Sequence, residues 1–464
     1  MKKVAVAAIS MTVASTVWTA AWAETLAETL TYTYMHSGVV DQNRALLRAA
    51  DEDVAQALAS MRPILNWTGQ VRRQYGTAGT STITQRTSTW DATVGLSAEL
   101  VLYQGNRRKL GIDAAKEAVL SARGDLLSAE QTVLLRAAVA FLSIREAAET
   151  LGLRQNNVRV IRQEVRAAND RFDVGEVTRT DVALAEARLA AAVAALAAAE
   201  GNLIVAGEEF HAAVGRDPGK LVTPSKLPSL PSSVEDAKTQ AVRRHPDMIA
   251  AQHSVAVAEL NVLIAEGAMK PTLSVTGSYG VTNEFDNGDF SRGGTVALQG
   301  SGPIYRGGEL SSLVRQALAR RDQARAGLHV VRLSIEQGVG NAYAQLRVAR
   351  ANKSSFQEQV RAAQTAFQGV REEAKLGART TLDVLDAEQE LLDARANLIA
   401  AEVAEFQAAY QVLAAIGLMT ADALRLDVPQ FDPSAYYNLV KTAPMARSKQ
   451  GQELDRVLRA LGKD

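Results

Sequence analysis

The chain is written twice, and no other feature constrains its fold as strongly. Gly175, Glu176, Val177, Thr178, Arg179, Thr180, Asp181 and Val182 return as Gly377, Ala378, Arg379, Thr380, Thr381, Leu382, Asp383 and Val384, at an offset of 202. The same offset carries Tyr103 onto Tyr305, Gly105 onto Gly307, Arg145 onto Arg347, Glu186 onto Glu388, Leu189 onto Leu391 and Gly215 onto Gly417. Further upstream the offset is 208, joining Pro63 to Pro271 and Ala57 to Ala265. A length difference of six residues therefore separates the copies, and it is expected in the turn-rich stretch Gly76 to Ser88, matched by Asn283 to Arg292. A repeat this long is no solenoid of small units; it implies a pseudo-symmetric fold of two copies.

Proline marks the joints. None occurs from Ile64 to Asp217 or from Ile304 to Val428, and Pro218, Pro224, Pro228 and Pro231 crowd one linker. The expected organisation is a leader at 1–23, a first repeat at 24–217, a proline-rich linker at 218–233, a second repeat at 234–428 and a tail at 429–464. The tail reads as a wrapping segment followed by a loose end.

Met1-Lys2-Lys3, an apolar run from Val4 to Val17 and the small-x-small site Ala21-Trp22-Ala23 read as a secretory signal peptide cut after Ala23. No later segment has 18 uninterrupted apolar residues, and Leu189 to Ala199 reads as too short and too rich in alanine to span a bilayer. An exported chain with no spanning helix could cross a membrane only as a barrel. Lysine plus arginine and aspartate plus glutamate both count 51, so no basic footprint for nucleic acid covers the whole chain. Cysteine is absent, which excludes disulfides, thiol catalysis and Cys-type zinc sites. His36, His211, His245, His253 and His329 stand apart with no metal-ligand spacing, and no P-loop or GxSxG motif is present.

Each copy changes period in the same order. Helical composition over Val40 to Met61 gives way to alternation: Leu65, Trp67, Gly69 and Val71 against Asn66, Thr68, Gln70 and Arg72. Trp90, Ala92, Val94, Leu96, Ala98 and Leu100 alternate likewise with polar neighbours. The second copy has Leu273, Val275, Tyr279 and Val281, then a weaker strand, Thr295 to Ser301. Expected strands are 64–75, 89–101, 272–282 and 293–302. Period two over about 10 residues fits a membrane-barrel strand, apolar outward and polar inward, although strand pattern alone favours an ordinary half-buried soluble sheet. Beyond Tyr103 a helical seam runs from Ala115 through Val119, Ala122, Leu126 and Ala129 to Leu151, in steps of about 3.6 residues. Long helices are expected at 106–172 and 307–374, each followed by a second at 179–214 and 380–416. From Arg108 to Phe172 the first would reach about 97 Å at about 1.5 Å per residue. The alanine-rich Leu189 to Ala199 predicts close packing into a helical wall. Pro303-Ile304-Tyr305-Arg306-Gly307-Gly308 supplies the bend from strand to helix.

Four strands cannot close. An eight-stranded barrel is filled by its own side chains, whereas three chains would give twelve strands and room for a lumen. Any open edge in lipid costs several kcal/mol per unsatisfied backbone group. A membrane reading therefore demands an oligomer.

These residues resemble the TolC family of outer-membrane channel proteins. The carrying motifs are Val174 to Val182, Leu376 to Ala387 and Pro303 to Gly308, with the duplication and the leader, over about Glu24 to Leu426. The resemblance implies a mainly α fold with a small β part: a homotrimer whose twelve-stranded outer-membrane β-barrel continues into a long periplasmic α-helical coiled-coil barrel. It implies an exit duct for type I protein secretion or multidrug efflux in the Gram-negative outer membrane. A periplasmic adaptor and an inner-membrane ABC or RND-type pump would be its partners, with outer-membrane lipid around it, no nucleic acid and no cofactor. Asp383 and Asp386 match the entrance aspartates of the periplasmic mouth, where three chains would form a cation-selective carboxylate ring. Arg379 matches the gate arginine, and Thr180 and Asp181 its partners on the neighbouring coil. Ala374 stands where the family has a gate tyrosine. Gly175, Glu176, Val177, Thr178, Gly377 and Ala378 form the helix-turn tips where an adaptor would dock. Two other readings remain at this stage: a periplasmic coiled-coil adaptor or scaffold, and a helical enzyme. An adaptor carries one helical hairpin, not two copies each with a strand pair, and nothing near His245 and His253 completes a catalytic site.

Overall fold

The computed structural model describes residues 23–286 and 288–460. The expected leader thus falls outside the described residues, Ala23 excepted. In chain order the elements are β1 (Ala23–Glu24), α1 (Leu26–His36), α2 (Gly38–Ala59), β2 (Ile64–Gly79), β3 (Thr84–Gln104), α3 (Arg107–Asp173), α4 (Arg179–Val214), β4 (Lys220–Leu221), α5 (Val234–Arg244), α6 (Pro246–Gly267), β5 (Thr272–Glu284), β6 (Phe290–Ser301), α7 (Glu309–Lys375), α8 (Thr381–Ile416), α9 (Ala435–Val440) and α10 (Lys449–Ala460).

The duplication holds to the residue in the helices. α1 and α5 have 11 residues each, α2 and α6 have 22, α3 and α7 have 67, and α4 and α8 have 36. Only the strands differ, at 16 and 21 residues against 13 and 12. Local chemistry sets the boundaries. Ser37 caps α2 through the Val40 N–H, and Ser233 caps α5 through the Asp236 N–H. His245 closes α5 and caps α6, with Pro246 in the first turn where its missing N–H costs nothing.

The chain packs as two compact units, and neither is one copy of the repeat. One holds the described residues up to His36 with 136–228 and 349–407; the other holds 37–135, 229–348 and 408 onward. The first is helical. Val158, Ile161 and Ala192 form one of its apolar clusters, and Ala363, Leu391 and Ala394 another. Its short β1 lies parallel to β4, and Glu24 accepts bonds from Arg216 at 2.5 Å and Thr29 at 2.7 Å.

In the second unit, Leu47 and Val54 of α2 pack on Val119 and Leu126 of α3, and Tyr437 of the tail covers them. The Tyr436 hydroxyl donates to Glu52 at 2.7 Å, and the Arg123 guanidinium lies over the Tyr437 ring. The tail is thus more ordered than a wrapping segment with a loose end: it contains α9 and α10. α9, at six residues, is too short to show a helical period, whereas Leu454, Val457 and Leu458 give α10 the i, i+3, i+4 spacing of an amphipathic helix, a signal that the reading of a loose end passed over.

The same unit holds a four-stranded antiparallel sheet in the order β2-β3-β5-β6. Pairing runs from Ile64 opposite Glu99 to Gly79 opposite Thr84, so strands occupy most of the stretch expected to be turn. Thr84, Gln85, Arg86, Thr87 and Ser88 are all polar, and a polar strand shows no contrast between its faces. The register segregates the two faces over the stretch next to the helix joints. Leu65, Trp67, Val71, Val94, Leu96, Val275, Tyr279, Val281, Val296 and Leu298 share one face. Asn66, Thr68, Gln70, Thr93, Ser97, Ser278, Thr282 and Thr295 share the other. A bulge at Leu102 precedes the joint to α3, where Gly105 and Asn106 both take positive φ; Gly307 and Gly308 repeat that turn before α7.

One expectation is corrected. α3, α4 and α6 are long and apolar enough to cross a membrane by length and composition. In α4 the alanine tract continues through Leu203, Ile204 and Val205 with few charges, so Leu189 to Ala199 is not its full apolar extent.

Candidate functional site

The two helix–helix tips are built by one device used twice, and both lie in the helical unit. At the first, Gly175 takes φ of 81°, its N–H bonds to the Phe172 carbonyl, and the Glu176 N–H bonds to the Arg171 carbonyl. At the second, Gly377 takes φ of 78°, with the Gly377 and Ala378 N–H groups on the Ala374 and Glu373 carbonyls. Left-handed glycine here stops one helix within a single residue. A capping box then starts the next. Thr178 Oγ1 accepts from the Asp181 N–H at 3.3 Å, and Asp181 Oδ2 accepts from the Thr178 N–H at 2.9 Å. Thr380 and Asp383 reproduce this at 3.2 and 2.9 Å. These threonine–aspartate pairs were legible as a three-residue spacing and carry a structural role that a reading of gate charges alone passes over. Glu176, Val177 and Ala378 fill the turns between these devices.

The electrostatics follow. The Thr178 N–H and hydroxyl hold the Asp181 carboxyl below its ordinary range, and Thr380 does the same for Asp383. Arg379 Nε donates to Glu373 at 2.8 Å, which with the charge of Glu373 raises the guanidinium further. Within one chain, then, Arg379 is engaged by Glu373 and Asp181 by its own helix start, while Thr180 is exposed. Asp386 stands one turn beyond Asp383 and receives Arg188 of α4 at 2.6 Å, tying α4 to α8. Ala374 is buried, so the helix surface there is closed without any hydroxyl. Leu385 anchors the tip from behind, against Ala168, Val182 and Ala185.

Deeper in this unit sits a group that motif reading did not single out beyond its place in the repeat. Glu388 is 7 % exposed. One carboxyl oxygen accepts from Asn157 at 3.4 Å and the other is buried without a partner, beside a cavity of about 80 Å³ lined by Val160, Phe367 and Leu391. Burial, then the nearby charge of Glu164, pushes its carboxyl up to about 7. Its repeat mate Glu186 is exposed, so the sequence position alone could not reveal the burial.

The sheet is the second functional surface. Its polar face carries Asp91, Glu99, Glu284 and Arg72, with Arg72 on Asp91 at 3.2 Å. Its other face presents Leu65, Trp67, Val94, Leu96, Val296 and Leu298, each more than 60 % exposed. Such a surface is tolerable in lipid and costly in water. β2 and β6 each have one strand neighbour. Three histidines serve local structure: His253 bonds to Glu117, His211 to Asp217, and His245 caps α6. Among the described residues no group of three or more acidic or histidine side chains could hold a metal ion.

The chain matches the family model described as outer membrane efflux protein over residues 39–216 and again over 238–418. It is 36% identical to the outer membrane efflux protein BepC of Brucella suis over 411 residues, 88% of each chain. It is 27% identical to the outer membrane protein TolC of Escherichia coli over 58% of this chain and 59% of that one. Its fold is similar to the crystal structure of the Campylobacter jejuni CmeC outer membrane channel, with a TM-score of 0.77, 16% identity and 90% of each chain covered.

Proposed function

From the premise that the chain belongs to the outer membrane efflux protein family, and is an outer-membrane efflux channel, we propose that three copies close one twelve-stranded barrel and that the helix tips form its gated inner mouth. The carrying observation is the sheet: four strands, one face apolar from the helix joints out to Arg73 and Arg292, and edges at β2 and β6 that one chain cannot satisfy. In lipid those edges must pair, and β6 of one copy meeting β2 of the next does so with the antiparallel order preserved. The helices support the same reading. α4 leaves Val193, Ile204 and Val205 exposed, an apolar stripe that a neighbouring chain would cover.

At the tips, three copies would converge Asp383 and Asp386 on the aperture and make it cation-selective. The Arg379 network would hold it closed until a periplasmic adaptor, docking on the Gly175 and Gly377 turns, competes for its partners. Transport energy would come from an inner-membrane pump, because a passive duct has none of its own. Type I protein secretion and multidrug efflux are the two cargo classes this plan serves. A periplasmic adaptor or scaffold would leave the apolar sheet face in water, which disfavours that alternative.

Planar-bilayer conductance of the purified trimer tests the proposal. The expected result is small, cation-selective conductance that Asp383→Asn with Asp386→Asn makes less selective. Asparagine at 383 keeps an acceptor for the Thr380 N–H, so the helix start survives while the charge goes. Arg188→Ala should shift preference further toward cations by freeing Asp386. Unchanged ion preference in the double variant counts against the ring, and a water-soluble folded monomer counts against the barrel.

A further inference from the structure

We propose that Arg73 and Arg292 form a binding site for the phosphate groups of a glycolipid in the outer membrane leaflet, one site at each seam between copies. The inference rests on the trimeric barrel reading above.

The apolar face of the sheet carries three charges, Arg73, Arg86 and Arg292, and no carboxylate; Asp91, Glu99 and Glu284 all fall on the other face. None of the three arginines forms an ion pair among the described residues. Along both outer strands the arginine is the first charge met on that face. From the helix joint, β2 presents Leu65, Trp67, Gly69 and Val71 before Arg73. From its own joint, β6 presents Gly300, Leu298, Val296 and Gly294 before Arg292. Arg73 lies nine residues beyond Ile64, and Arg292 lies nine residues before Ser301.

Nine residues of strand rise about 30 Å, or about 21 Å along the normal at a tilt near 45°, close to the ~25 Å apolar band of an outer-membrane barrel. Both side chains therefore reach the far edge of the hydrocarbon at the same height. The hairpin turns lie beyond them and the helices lie at the opposite ends of the strands, so this edge belongs to the outer leaflet. Closure sets β6 of one copy beside β2 of the next, about 4.8 Å away. Each seam then holds two guanidinium groups side by side, one from each copy.

Their setting suits an interfacial anion. The Arg73 guanidinium lies 5.3 Å from the Trp90 ring centroid, and that of Arg292 lies 5.2 Å from the Phe290 centroid. The rings hold the cations at the level where lipid tails meet headgroups, with donors left for oxygen ligands. Paired guanidinium groups match phosphate by charge and by forked hydrogen bonding. Arg86, four residues farther out in the paired register, would meet the polar sugars above.

Native mass spectrometry of the purified trimer incubated with bis-phosphorylated lipid A tests this. Up to three lipids per trimer are expected on the wild type. Arg73→Ser with Arg292→Ser should weaken retention by about tenfold or more, since each cation near an anionic surface contributes on the order of a fivefold factor. Arg73→Lys with Arg292→Lys should stay within about threefold of the wild type on charge alone. The wild type should hold dephosphorylated lipid A no better than the serine variant does. Equal retention by wild type and serine variant overturns the site, as does equal retention of dephosphorylated and phosphorylated lipid or of phosphatidylglycerol in place of lipid A. A wild type that forms no trimer overturns both this inference and the barrel; an intact trimer that retains no lipid A overturns this inference alone.

Discussion

Replacing Glu388 by glutamine should stabilise the helical unit at pH 8 and do so much less at pH 5. The carboxyl is 7 % exposed, its second oxygen has no partner, and burial with Glu164 nearby raises it from 4.5 to about 7. A carboxyl raised on folding binds its proton more tightly in the folded state. Below about pH 4.5 both states are protonated and the shift contributes nothing. Between about 4.5 and 7 the unfolded chain is ionised while the folded carboxyl keeps its proton, so stability falls with pH, and above 7 the loss is complete. Taken at about 1.36 kcal/mol per unit, the penalty above pH 7 has a ceiling of about 3.4 kcal/mol. Arg371 and the adjoining cavity moderate it, so roughly 1–2 kcal/mol is the expected gain. Glutamine keeps an acceptor for Asn157 and removes the charge. Guanidinium unfolding followed by helical circular dichroism at both pH values measures the difference. A gain of equal size at pH 5 and pH 8 would mean repacking, not ionisation. A loss at pH 8 would mean that Arg371 holds Glu388 as a net favourable ion pair, and either outcome refutes the reasoning.

Two other expectations follow from the tips and the repeat. Arg379→Ser should raise trimer conductance, because the tip loses the cation now held by Glu373; single-channel recording decides it, and an unchanged closed level would remove Arg379 from the gate. Gly215 and Gly417 end α4 and α8 with φ of 90° and 87°, yet a methyl group at Gly215 meets nothing within 4 Å while one at Gly417 falls 2.9 Å from the His245 Cα. Gly215→Ala should cost about 1 kcal/mol of backbone strain, and Gly417→Ala about 1–3 kcal/mol more from the clash, as compared by chemical denaturation; equal losses would show that the contact yields.

The duplication, the order of elements and the apolar alternation in four strands were legible in the residues, because each is a local pattern. So were the tips: a glycine that must turn left-handed, followed by a threonine three residues before an aspartate, terminates and restarts a helix through bonds that span only a few residues. What stayed hidden depends on which distant residues meet. Arg86 belongs to a long hairpin because β2 pairs with β3 far beyond the apolar stretch, and the polar run around it has no local signature. Glu186 and Glu388 hold the same place in the two copies, yet only Glu388 is buried, since Asn157 and Phe367 pack around it from other helices. Arg188 reaches Asp386, and Arg73 and Arg292 share one face, only because the chain returns after some two hundred residues to lay its second copy against the first. Sequence determines propensity and period; burial and charge pairing are properties of neighbours, and tertiary packing alone chooses the neighbours.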